Sequence, residues 1–303
     1  MVSSPDRYGR FGHQTNSIIA AYLLAYISSS KLILPRYMYF CDKWNNVIDW
    51  TKSKYIVSSI EKPVSDIAYI EADRIDGVGS RRWDFHSITN LVHVIKLIET
   101  RPNNTITFLP FDQSGGCLYN LLNLPLIKYD LAKIFNVEAT TSLNKYICIH
   151  IRRGDVSDTK HPSWFVDNDF YLNLLSSINI VAPLEIPIVI CTQGDASWID
   201  IVANQLVRQG RQIFVSTIMD SWINSNEIND FALMLNSDVL FMAGSSFSHI
   251  AGYFGGHGLL FDIDKGGTSY QHKVHHICSS PQKLEASLED IKCILKDYYM
   301  IDI

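Results

Sequence analysis

Three short runs in the second half of the chain are apolar at nearly every position: residues 145–151 (KYICIHI), 186–191 and 239–242. Strands alternate faces residue by residue, so a run with no polar side is a parallel strand covered by helices on both faces. Apolar positions at helical spacing fill the intervals, over residues 169–180, 196–207 and 227–235. A short helix ending at Phe254 and an amphipathic one over 282–299 continue the series, with extended stretches at 212–215 and 258–261. Strands alternating with helices through short connections predict a parallel, Rossmann-like sheet.

The first half is less regular. Residues 15–30 place Ile18, Ile19, Tyr22, Leu23 and Tyr26 at helical spacing. A strand is expected at 31–34, stopped by Pro35, and another at 105–109, stopped by Pro110. Between them, to about residue 100, the pattern is irregular and rich in aromatics, including Trp44, Trp50 and Tyr55. Such rings stack on sugars, but core is the first reading for them. The polar stretch 138–145 (EATTSLNK) separates the two patterned regions. Domains are therefore expected at 1–140 and 141–303, with the last helix a candidate to pack back on the first.

At 303 residues the chain has room for both. A net charge of −5 argues against nucleic acid or an anionic membrane as partner. The six cysteines are scattered, without C-x-x-C pairs, and Cys148 and Cys191 sit inside apolar runs. Buried free thiols fit a reducing compartment. No charged-then-apolar leader opens the chain and no apolar run reaches membrane-spanning length, so a soluble, cytoplasmic protein is expected.

Three segments carry candidate chemistry. His150-Ile151-Arg152-Arg153-Gly154-Asp155 follows a buried strand directly, where ligands of open parallel sheets bind. Paired guanidinium forks, a glycine permitting close backbone approach and a flanking carboxylate suit a diphosphate. They suit a surface salt-bridge cluster equally well. Gly9-Arg10-Phe11-Gly12-His13-Gln14 precedes the first helix, where free N–H groups favour an anion. No strand is evident before it, and an ordinary turn accounts for it too. The block 230–253 runs from helix to strand to Gly244-Ser245-Ser246 and another helix start. There Ser245, Ser246 and Ser248 can bond a phosphate or ribose, or simply cap the helix.

Together, GRFGHQ, HIRRGD and SSFS, in that order over roughly residues 9–260, resemble the GDP-fucosyltransferase superfamily of α1,2-, α1,6- and protein O-fucosyltransferases. The resemblance implies a GT-B-like α/β fold, two Rossmann-like domains with a cleft between them, and a donor held mainly by the C-terminal one. It implies that Arg152 binds the donor diphosphate, that His150 and Arg153 shape its pocket, and that Gly12, Asp230, Ser246 and Ser248 lie near the nucleotide. Asp195 falls where relatives often carry an acidic residue. Two departures stand out: His13 replaces the usual Asn, and the serine turn lacks the tryptophans that follow it in many α1,2-enzymes.

The expected activity is inverting transfer of fucose from GDP-fucose to a glycan or glycoconjugate hydroxyl, without metal or other cofactor. Arg152 stabilises the leaving diphosphate, with Asp155 and then His13 as candidate bases. The alternatives are another sugar from a GDP or UDP donor, and an inactive sugar-nucleotide or glycan-binding protein. The triplet Asp262-Ile263-Asp264 matches D-x-D only superficially, and His272, His275 and His276 lack the spacing of a recognised metal site. Acceptor, linkage and oligomeric state are not legible.

Overall fold

The computed structural model describes residues 2–3, 11–33, 44, 48–57, 66–69, 88–101, 105–108, 121–122, 124–135, 143–154, 156–193, 197–218, 226–264 and 274–301. The chain divides into two compact units, residues 1–137 with 270–272, and 138–269 with 273–303.

The first unit contains a parallel sheet of β1 (Val2–Ser3), β2 (Leu32–Ile33), β3 (Ile56–Val57), β4 (Asp66–Tyr69) and β5 (Thr105–Phe108), in the order β3-β2-β1-β5-β4. Helix α1 (Phe11–Ile27) follows β1 and is apolar on every side: Ile18 to Ala25 are all buried. A helix without a polar face belongs inside a core. Its Tyr22 hydroxyl donates to Asp130 Oδ2 at 2.8 Å, and Ser53 Oγ donates to the same oxygen at 2.7 Å. That buried carboxylate, on α3 (Pro125–Ala132), ties three segments far apart in sequence. Trp44 is core, as its default reading holds, and stacks on Phe11 at 3.7 Å.

Two expectations change here. A strand does precede the GRFGHQ segment, but β1 has two described residues, too few for a period to show. The aromatic-rich stretch ends in a helix, α2 (Ile88–Glu99), which buries only Val94 and Ile98.

The second unit is a six-stranded parallel sheet: β6 (Ile147–Ile151), β7 (Ile188–Gln193), β8 (Ile213–Ile218), β9 (Val239–Ala243), β10 (Leu259–Asp264) and β11 (His275–Cys278). Its order is β11-β10-β9-β6-β7-β8. Counted from β6, that is 3-2-1-4-5-6, the order of a dinucleotide-binding Rossmann sheet. The helices are α4 (Asn168–Val181), α5 (Ser197–Arg208), α6 (Asn226–Leu235), α7 (Ser246–Phe254) and α8 (Leu284–Ile301). The last helix packs within this unit, against α4 and β11, burying Leu288, Ile291, Leu295 and Tyr299.

Register divides the sheet into two faces. Ile147, Ile149, Ile188, Ile190, Val239, Phe241, Phe261 and Ile263 point to one, under α4, α5 and α8. Cys148, His150, Cys191, Met242 and Asp262, one residue out of phase, point to the other, where α6 and α7 lie. Arg211, 1% exposed, closes the end of α4: it donates to Ala182 O at 2.8 Å, Ile186 O at 2.9 Å and Asn179 Oδ1 at 3.1 Å. A buried cation is tolerable there because the carbonyls at a helix C-terminus carry the negative end of its dipole.

Candidate active site

The sheet order reverses between β6 and β9, which makes the space beyond their carboxyl ends the switch point where ligands of such sheets bind. Two turns leave it: Arg152-Arg153-Gly154 after β6, and Gly244-Ser245 after β9, opening α7. Arg152 joins them, donating from Nη1 to Gly244 O at 2.6 Å. Its guanidinium carbon lies 4.8 Å from the ring centre of Trp164.

Arg153 turns elsewhere. Its Nη2 donates to Val166 O at 2.8 Å and to Asn168 Oδ1 at 2.7 Å. Its guanidinium carbon rests 4.5 Å from the Phe165 ring centre, 5.6 Å from Tyr171 and 5.5 Å from Trp198. Gly154 permits the turn: its φ of +79° is left-handed, and a Cβ there would fall 2.6 Å from Gln193 Cδ.

His150 is held neutral. Burial pushes its pKa down to about 3, and the nearby Arg152 and His249 add to the effect. Its Nδ1 is buried with no hydrogen-bond partner among the described residues. The ring stands in register with Cys191 on β7, and Cys191 with Ser216 on β8. Ser216 Oγ donates to Asp230 Oδ1 on α6, and burial raises that carboxyl to about 7 against the lowering effect of the Ser216 bond. Asp230 and His150 thus belong to the same polar face.

The serine turn divides its roles. Ser245 caps α7, accepting from Phe247 N at 3.3 Å. Ser248 is fully buried, and its hydroxyl donates to Ala243 O and Ser245 O, both at 3.2 Å. Ser246 stands half-buried at the first helical position.

Arg152, His150, Ser246 and Ser248 are therefore gathered around one switch point, with Asp230 further along the same face. Gly12 lies buried in the first turn of α1, in the other unit; the helix starts at Phe11, so Gly12 and His13 are helical and not part of a preceding loop. Asp155, Asp195, Gly9, Arg10 and the His13 side chain lie outside the described residues.

Two features escape a reading of the sequence. His249, in the first turn of α7, meets Asp262 of β10, Nε2 to Oδ1 at 3.1 Å. Asp262 is 2% exposed, and the D-x-D triplet that contains it hid this partner. Trp164 is the second: half-exposed, it lies over Arg152, and only the fold brings the two together.

Residues 128–264 match the family described as Glycosyl transferase family 11, a span that covers the HIRRGD and SSFS segments. No curated protein matches the chain. Among solved structures, it is similar to a variant of Arabidopsis thaliana FUT1 in complex with GDP, at 12% identity and a TM-score of 0.50, covering 84% of this chain and 68% of that one. It is also similar to POFUT1 in complex with GDP-fucose, at 13% identity and a TM-score of 0.46 over 91% of this chain and 96% of that one. The fucosyltransferase NodZ from Bradyrhizobium follows at 11% identity and a TM-score of 0.47, over 84% and 92%. The likeness to FUT1 is one of fold, in keeping with a GT-B-like α/β class.

Proposed function

We propose that this chain is a glycosyltransferase of the GDP-fucosyltransferase-like superfamily and transfers fucose from GDP-fucose to a glycan or glycoconjugate hydroxyl with inversion at the anomeric carbon. The observation that carries the reading is the placement of Arg152. It is pinned to Gly244 O at the switch point, beside the N-terminus of α7. When the sugar–phosphate bond breaks, negative charge gathers on the leaving diphosphate. A fixed guanidinium and the positive end of the α7 dipole stabilise that charge more than they stabilise the intact donor, which is the condition for catalysis.

Other residues support the same reading. Neutral His150 lines the polar face just ahead of Arg152. Ser246 stands at the anion-binding end of α7, and Ser248 holds that turn in shape. Asp230, near neutral affinity for its proton, serves the nucleotide side of the pocket. Arg153 shapes the site through the loop it anchors. Asp155 is the first candidate to take the acceptor proton and His13 the second. Arg152 supplies the countercharge that a divalent ion supplies in other transferases, so the reaction is proposed to need none. Buried, unpaired Cys148 and Cys191, with sulfurs 3.8 Å apart, fit a reducing, cytoplasmic setting. No described helix is long and apolar enough to cross a membrane.

Calorimetric titration with GDP, UDP and their sugar conjugates, before and after Mn²⁺ addition, tests the proposal. Selective metal-free binding of GDP, weakened but still measurable in Arg152→Ala, is expected. Arg152→Ala should also lower transfer by roughly 100- to 1000-fold in a protein that unfolds at the wild-type temperature. Preference for UDP overturns the donor, and undiminished transfer by folded Arg152→Ala overturns the role of Arg152.

A further inference from the structure

The two adjacent arginines reach one another again through the loop that follows them. Arg153 holds the far end of that loop, at Val166 O and Asn168 Oδ1. Within it, Ser157 N donates to Lys160 O at 2.7 Å, and Lys160 N donates to Ser157 Oγ at 2.8 Å. His161 sits at φ +60°, a left-handed conformation unusual for a residue with a side chain. Trp164 N donates to His161 O at 3.0 Å, closing a turn that stacks the two rings at 5.0 Å and 22°. The indole then lies over the Arg152 guanidinium at 4.8 Å.

Core packing does not account for that indole, since Trp164 is 49% exposed. An arginine side chain has large rotamer freedom, and a planar aromatic face laid over the guanidinium restricts the tilt of its plane. The attraction strengthens where the cation is partly desolvated.

We propose that Trp164, backed by His161, is the positioning residue for Arg152. The inference rests on the reading of Arg152 as the diphosphate contact. It assigns different tasks to the two arginines: Arg153 anchors the loop, and the loop sets the plane of Arg152.

The test is a double-mutant cycle on the full chain, with GDP affinity as the readout. Trp164→Ala is expected to weaken GDP binding about three- to ten-fold, on the cation–π scale, and Trp164→Phe to restore most of it. In an Arg152→Ala background, Trp164→Ala should cost nothing further, because its effect passes through the missing guanidinium. Wild-type affinity in Trp164→Ala overturns the proposal. So does an equal loss with and without Arg152, which marks direct contact or general loosening of the loop. Wild-type GDP affinity in Arg152→Ala alone overturns the underlying reading, and it is visible without any change at Trp164.

Discussion

On one face of the second sheet, β6 presents Ile147, Ile149 and Ile151 to a layer of Phe170, Leu174, Ile178, Ile291 and Leu295. On the other, the same strand presents Cys148 and His150, beside Cys191, Met242 and Asp262. The first face is closed by three helices and is continuous hydrocarbon. The second carries a neutral histidine, a carboxyl raised to about 7 and a carboxylate–histidine pair, and it opens at the switch point. The comparison separates two tasks that share a backbone. Apolar burial on one side fixes the strands, so the other side can hold polar groups whose own burial is unfavourable.

The dry face should respond most to a loss of volume. Phe241→Ala removes a ring stacked on Phe261 at 4.4 Å and should destabilise by about 3–5 kcal/mol in denaturant unfolding. Its neighbour Met242 points to the other face, where Met242→Leu should cost under about 1.5 kcal/mol, a volume-conserving change. Equal losses at the two positions would erase the distinction.

His249→Ala should cost on the order of 1–3 kcal/mol, because it leaves Asp262 buried without its hydrogen bond. His249→Ala with Asp262→Asn should recover part of that loss.

Titration is smaller in effect and more particular to the polar face. His150 has its folded pKa far below the unfolded value, so it contributes stability above about pH 6.5 that is lost as pH falls toward 3. Asp230 has its folded pKa raised to about 7, so its contribution has the opposite sign: present at low pH and lost as pH rises from about 4 through 7. Between roughly pH 4 and 6.5 the two oppose each other. His150→Gln should therefore gain stability on acidification from pH 7.5 to 5.5, by about 1–2 kcal/mol, and Asp230→Asn should lose it. Parallel pH profiles in the two variants would break the pairing.

What the sequence made legible follows the same division. β6, β7 and β9 read plainly as strands because parallel strands between helices are apolar on both sides. The short β1 and the histidine-rich β11 (HHIC) carry no such mark, and α2 buries too narrow a stripe to declare itself amid aromatics. In the site, HIRRGD is visible as chemistry, because charge beside a buried strand is unusual. Residue types alone do not separate the two arginines, and only the resemblance singled out Arg152, since their surroundings depend on a loop that returns Trp164 to one and Val166 to the other. Asp262 and His249 lie 13 residues apart on different elements, and only the packing of α7 on the sheet brings them together.

The adjacency of Arg152 and Arg153 has a consequence for how this protein can vary. Their separate positions depend on how many residues β6 has, not on any difference between their side chains. Losing one codon in that strand would carry Arg153 into the place of Arg152, and gaining one would carry Ile151 there; either change turns His150 toward the hydrocarbon layer and an isoleucine toward the polar face. Point substitutions in β6 can be sampled one at a time, while a single-residue insertion or deletion alters the core and the site together. Length changes in this lineage should therefore collect in the surface connections and leave β6 at constant length.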